Sequence, residues 1–186
     1  MDDLRLVERI RQGDEAAFAA LFERHKASVF RYAVHMRGGD TALAEDVVQE
    51  VFLAFLRQLE RFDAARGTVQ AYLLGITRRQ VLKQLDDIRD EESLDGVDGP
   101  SVESDPLEHL TRAEATARVR QAISALPPAY REAIVLCELN DLDYVSAAAV
   151  MHCAVGTVRS RLHRARALLA SALAAAQTVE KVSSRG

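Results

Sequence analysis

Apolar side chains in the N-terminal half recur every three or four positions, the spacing of a helix face rather than of a strand. The chain enters this pattern directly from Met1-Asp2-Asp3-Leu4-Arg5. Asp14, just after Gly13, is placed to cap a helix that carries Phe18, Leu21 and Phe22 on one side. A second helical stretch is expected through Val29, Phe30, Ala33 and Val34, broken at Arg37-Gly38-Gly39-Asp40. From Ala44 to Leu59 the pattern is clearest. Val47, Val48, Val51, Phe52, Phe55, Leu56 and Leu59 gather on one broad face, the predicted core face. The opposite face holds Asp46, Gln49, Glu50, Leu53 and Arg57. Taken alone, that stripe is either a solvated face with one stray leucine or a surface that docks another protein.

A loop with a glycine hinge follows, from Arg61 to Thr68, and then a helix through Tyr72, Leu73, Ile76, Arg78, Arg79, Leu82 and Lys83. Rings can stack on unpaired bases while Arg and Lys follow phosphates, so this mixture suits single-stranded nucleic acid. Helix packing with solvated arginines accounts for the same residues.

Farther on, Leu126-Pro127-Pro128 places proline where a helix start needs no amide donor, and Tyr130, Ile134, Val135 and Leu136 supply apolar contacts. Asn140-Asp141-Leu142-Asp143 breaks the helix. Asp143 can cap the next one, through Ala147, Ala148, Val150 and Met151; a turn at His152-Cys153-Ala154 and a third helix from Val155 complete a helix-turn-helix layout. On that third helix Val155, Val158, Leu162, Ala165 and Leu169 share one side. The far side holds Gly156, Thr157, Ser160, His163 and Arg164, flanked by Arg159 and Arg161. Arg, Ser and Thr on such a face can reach base edges and phosphates. Arg159, Arg161, Arg164 and Arg166 would repel one another unless a polyanion neutralised them. The alternative is an exposed basic helix on a domain that binds something else.

Gly and Pro are scarce in these helical stretches, and no run alternates apolar with polar residues, so the fold is expected to be all-α. The 186 residues, 48% apolar and 28% charged, fit one ordinary domain or two small ones and exclude wholesale disorder. Charge decides between those two. The net of −4 divides into +1 for residues 1–85, −9 for 86–108 and +4 for 109–186. A block as acidic as the middle one resists packing, and it also holds Gly96, Gly99, Pro100 and Pro106. It is expected to tether a helical N-terminal domain (1–85) to a smaller basic one (109–175), with a tail at 176–186.

The uncharged stretch from Ala167 to Val179 is shorter than the about 20 apolar residues a membrane span needs, and the acidic N-terminus lacks the pattern of a secretory signal. No membrane insertion and a cytoplasmic location are expected. Cys137 and Cys153 fit no disulfide framework or zinc spacing and are expected to be small buried thiols. His25, His35 and His109 are scattered, and there is no phosphate-binding glycine loop and no catalytic or metal-ligand spacing. No catalytic residue, metal, cofactor or small-molecule substrate is therefore expected, and the protein is not expected to be an enzyme.

These motifs together resemble the bacterial sigma factors of the sigma-70 superfamily, in the compact extracytoplasmic-function (ECF) group. In the N-terminal half the resemblance lies in Gly13 to Phe18, in Ala44 to Leu53, and in Arg61-Phe62-Asp63 with Arg66-Gly67. In the C-terminal half it lies in Leu126 to Glu132 and Val155 to Arg166. It implies a subunit that binds core RNA polymerase and directs it to promoters. By position, Asp46, Gln49, Glu50 and Leu53 match the family's surface for the clamp-helix coiled coil of the polymerase's largest subunit. Arg61, Phe62, Asp63 and Arg66, in the loop that captures a flipped minus-ten base, together with Tyr72, Arg78, Arg79 and Lys83, match the side that meets the melted strand. Thr157, Arg159, Ser160, Arg161, His163 and Arg164 match positions facing the duplex of the minus-thirty-five element. The acidic tether matches a linker that threads toward the polymerase cleft.

The resemblance also implies an anti-sigma protein of unknown identity as a further partner. Two other roles compete: a dimeric helix-turn-helix regulator acting without polymerase, and a sigma-like decoy that only binds an anti-sigma factor. The sequence departs from the family at His152, where glycine is favoured, at Ala154, where a serine cap is usual, and at Val69, where an aromatic is common. The departures at His152 and Ala154 predict a less stable or unusually placed C-terminal reader.

Overall fold

The computed structural model describes residues 2–92 and 112–183, with side-chain surroundings given over 2–86 and 116–174. All its regular elements are helical. A first helix, α1 (Asp3–Arg11), ends in a turn at Gln12 and Gly13. Asp14 then caps α2 (Glu15–Met36), accepting from the Ala17 amide at 3.0 Å. That amide, helped by Arg9, whose Nε donates to Asp14 Oδ2 at 2.7 Å, holds the carboxyl below its usual range.

α2 is one helix where the sequence pattern suggested two. The stretch from Glu23 to Ser28 between them has no apolar periodicity of its own. Tertiary partners satisfy several of its side chains: His25 Nε2 lies 2.9 Å from Asp3 Oδ2, Arg24 pairs with the same carboxylate, and Ser28 reaches another domain. His25 and His35 are both buried, as packing residues, whereas His109 lies outside the described residues.

α3 (Thr41–Arg57) is capped by Asp40, which accepts from the Leu43 amide at 3.0 Å. Two short 3₁₀ turns, Leu59–Arg61 and Ala64–Arg66, lead to α4 (Val69–Glu92). Gly67, between turn and helix, has φ +153° with extended ψ, a conformation open essentially to glycine alone. α1 packs on α2, and α2, α3 and α4 pack on one another. Their core contains Leu21, Val29, Val47, Val51, Phe55, Leu73 and Leu74, all essentially without solvent contact. Phe18, Phe22 and Phe52 form an edge-on aromatic cluster beside it. Leu56, expected in the core, lies at its edge and is partly exposed.

The C-terminal elements are α5 (Arg112–Ser124), α6 (Pro128–Ile134) with a wider π-helical turn (Val135–Leu139), α7 (Tyr144–Met151) and α8 (Val155–Ser183). Pro128 stands in the first turn of α6, as expected. Asp143 caps α7, accepting from the Val145 and Ser146 amides at 2.9 and 2.8 Å, and these bonds hold its carboxyl low. The turn after α7 bends at His152, in left-handed backbone with φ +51°. α8 packs on α5, α6 and α7 around Val158, Leu162 and Ala165.

Two expected boundaries move. The acidic tether was placed from residue 86, but α4 continues helically to Glu92; the rest of 86–108 lies outside the described residues. The tail placed at 176–186 begins inside α8, which runs to Ser183. The two helical groups touch. α4 packs against α7, and α2 against α5, α6 and the π-helical turn.

Candidate nucleic-acid interface

On α3 the apolar positions turn inward and Asp46, Gln49, Glu50, Leu53 and Arg57 are all exposed. Leu53, 51% exposed, has no burial in its own domain to account for it. It stands on one exposed stripe with Asp46, Gln49, Glu50 and Arg57.

The loop from Arg61 to Thr68 is held from behind. The Arg11 guanidinium donates to the Phe62 carbonyl at 3.0 Å, Asp63 Oδ1 accepts from the Ala65 amide at 2.9 Å, and Thr68 Oγ1 accepts from the Ala71 amide at 3.1 Å. Arg61, Asp63 and Arg66 are exposed. Phe62 is not: its ring is buried edge-on against Tyr72, with centroids 5.4 Å apart, and Tyr72 in turn meets Phe55. Tyr72 stays half-exposed, with Phe62 packed behind it. A cleft of about 500 Å³ opens here, lined by Arg61, Arg66, Tyr72 and Arg79, with Ala149 and His152 from the other helical group closing one side.

Arg79 and Lys83 are exposed on α4, but Arg78 is turned elsewhere. Its Nε donates to Glu132 Oε1 at 2.7 Å, and its side chain is only 20% exposed. The sequence grouped Arg78 with Arg79 and Lys83 on composition. One helical step of rotation separates them, and a buried carboxylate claims the first.

On α8 the expected division of faces is present. Val158, Leu162 and Ala165 are buried, and Arg159, Ser160, His163 and Arg164 are exposed, with Thr157 and Arg161 half-buried at the border. Several of these cations are relieved within the domain. Arg166 pairs with Glu138, Arg164 Nη1 donates to Tyr130 Oη at 3.4 Å, and Arg159 stands 5.7 Å from the Tyr144 ring. Ser160 Oγ donates back to the Thr157 carbonyl at 3.1 Å.

Two residues with the most buried polar partners, Glu132 and Asn140, were not singled out from the sequence. Glu132 lay inside a quoted motif and Asn140 inside a helix break, and neither position carries a signal of contact with another domain. Both cysteines are free and half-buried rather than fully buried; burial, with Glu138 nearby, pushes the Cys137 thiol up to about 11, away from thiolate chemistry at neutral pH. Among the described residues no cluster of His, Cys, Asp and Glu could hold a metal, and no helix is long and apolar enough to cross a membrane.

The fold and the two basic, partly aromatic surfaces define a two-domain helical protein built to meet nucleic acid. Residues 21–91 match the family described as Sigma-70 region 2, and residues 116–169 match Sigma-70, region 4. The chain is 36% identical over 179 residues to the ECF RNA polymerase sigma-E factor of Escherichia coli strain K12, covering 89% of this chain and 91% of that one. It is 34% identical over 162 residues to the ECF RNA polymerase sigma factor SigC of Mycobacterium tuberculosis, covering 87% and 86%. Among solved structures it is similar to the sigma factor RpoE from Bartonella quintana, in complex with the anti-sigma factor NepR, with a TM-score of 0.71, 26% identity and coverage of 84% and 96%. It is also similar to CnrH in complex with the cytosolic domain of CnrY, with a TM-score of 0.69, 29% identity and coverage of 94% and 97%. The chain belongs to the ECF group of the sigma-70 family of RNA polymerase sigma factors.

Proposed function

We propose that this chain is a promoter-specificity subunit that works in the cytoplasm, without catalytic chemistry of its own. It binds core RNA polymerase through Asp46, Gln49, Glu50 and Leu53. The N-terminal domain, residues 1–85, reads and helps melt the minus-ten element through Arg61, Asp63, Arg66, Tyr72, Arg79 and Lys83, with Phe62 bracing Tyr72 and Arg78 joining once released from Glu132. The part of the acidic segment 86–108 beyond the end of α4 at Glu92 tethers it to the C-terminal domain, which reads the minus-thirty-five duplex through Thr157, Arg159, Ser160, Arg161, His163 and Arg164. An anti-sigma protein is a further partner, on the precedent of the RpoE–NepR and CnrH–CnrY complexes.

The observation that carries this reading is the pairing, in one chain and in family order, of an exposed, mainly acidic and amide stripe on α3 with a helix-turn-helix whose basic face points outward. The test is gel filtration of the protein with core polymerase, followed by transcription from a pool of random promoter DNA. Co-elution, with transcripts sharing two spaced upstream motifs, is the expected result. Binding to duplex DNA without core would favour a free-standing regulator. Binding to neither would favour a decoy.

A further inference from the structure

Glu132 is a buried carboxylate, 6% exposed, and its hydrogen-bond partners among the described residues belong to the other domain. Tyr32 Oη donates to Glu132 Oε1 at 2.8 Å and Arg78 Nε to the same oxygen at 2.7 Å. Eight residues on, Asn140 is 1% exposed. Its Oδ1 accepts from Ser28 Oγ at 2.9 Å and from Arg31 Nε at 3.1 Å, and its carbonyl accepts from Gln70 Nε2 at 2.8 Å. Only its amide nitrogen is used within its own domain, donating to the Val135 carbonyl at 3.0 Å and so closing the π-helical turn. These polar atoms are buried and satisfied only while α6 and the π-helical turn lie against α2 and α4.

We infer that Glu132 and Asn140 form a polar latch that holds the two domains closed and, while closed, withholds part of the minus-ten surface from DNA. Glu132 takes up the Arg78 guanidinium, which is then not free to meet a phosphate. The same closure brings Ala149 and His152 to one side of the cleft beside Tyr72. A buried ion pair gains little net stability because both groups must be stripped of water, so the polar part of the seam is its easiest part to open, beside the buried apolar cluster that the two domains share. A polyanion that offers Arg78 a replacement for Glu132, while water solvates the released carboxylate, shifts the balance toward the open form by its differential affinity. The closed form thus lowers the apparent affinity of the free subunit for melted DNA by the fraction of molecules that are open. The DNA half of this inference rests on the proposed function; the latch itself does not.

The experiment uses the full chain and a Glu132→Gln, Asn140→Ala double variant, with two readouts: the radius of gyration by small-angle X-ray scattering, and binding of short fluorescein-labelled single-stranded DNA of random sequence. The variant is expected to be larger and to bind that DNA at least about fivefold more tightly. Adding Arg78→Gln should remove most of the gain. Helix content by circular dichroism checks folding. If the double variant does not fold, Tyr32→Phe, which removes one hydroxyl and keeps the ring, should move both readouts the same way by less. An unchanged radius overturns the latch. An increased radius with unchanged DNA binding, in a chain that still binds core polymerase, overturns the withholding. Failure of the wild-type chain to bind core polymerase is instead a failure of the proposed function, and the radius still judges the latch.

Discussion

The Arg159 guanidinium carbon lies 5.7 Å from the centre of the Tyr144 ring, so the first residue of α7 braces the first arginine of the exposed basic face on α8. A cation over a ring at an exposed site contributes about 0.5–1 kcal/mol. Tyr144→Ala is therefore expected to weaken binding to a minus-thirty-five duplex by about two- to fivefold. Tyr144→Phe, which keeps the ring, should change it little. Fluorescence anisotropy with the promoter found in the transcription test measures both.

Charge reversal on α3 separates docking from folding. Asp46 and Glu50 are exposed and lie opposite the buried Val47, Val48 and Val51. The Asp46→Arg, Glu50→Arg double variant is expected to lose core polymerase binding while its thermal unfolding changes by no more than about 0.5 kcal/mol per site. Unchanged co-elution with core would rule out this surface.

The turn before α8 carries two correctable local costs. Ala154 begins the helix with its carbonyl, which accepts from Thr157 and Val158 at 2.9 and 3.2 Å, but it has no side-chain cap to offer. Ala154→Ser should stabilise the C-terminal domain by about 1 kcal/mol. His152 holds a left-handed backbone that glycine adopts without steric cost, so His152→Gly should add about 1 kcal/mol. Calorimetry would register each as a higher melting temperature. If Ala154→Ser changes neither melting nor minus-thirty-five affinity, the missing cap has no consequence.

Acid should loosen the seam between the domains. Burial, followed by the nearby cations Arg120 of α5, Arg131 of α6 and Arg31 of α2, lowers the His35 imidazole below its ordinary value. The packed form therefore favours neutral His35. The stability this provides is complete above about pH 6.5 and declines as pH falls below it, at up to about 1.4 kcal/mol per pH unit. Thermal melting between pH 7 and 5 should show that slope, and His35→Asn should flatten it. The capping carboxylates Asp14 and Asp143, both held low, lose their charge only at more acidic pH.

Local chemistry was legible in the linear order of residues. Helix periodicity, the caps at Asp14 and Asp143, the proline start at Pro128 and the turn at His152 each follow from interactions reaching no farther than four or five residues, and each stands where the sequence places it. The division of faces on α3 and α8 was legible for the same reason, because one helical period decides it.

Tertiary structure alone decided which distant partner each side chain meets, within a domain as well as across the two. It joined the two expected stretches of α2 into one helix, because Asp3 and Asn140 satisfy a polar segment that has no apolar pattern of its own. It turned Phe62 inward onto Tyr72 and Arg78 onto Glu132, and it buried Glu132 and Asn140 beside residues about a hundred positions away. No periodicity marks such pairs. A polar side chain on a helix looks alike in sequence whether it faces water or a distant partner, and only the packing of one domain on the other determines which it meets.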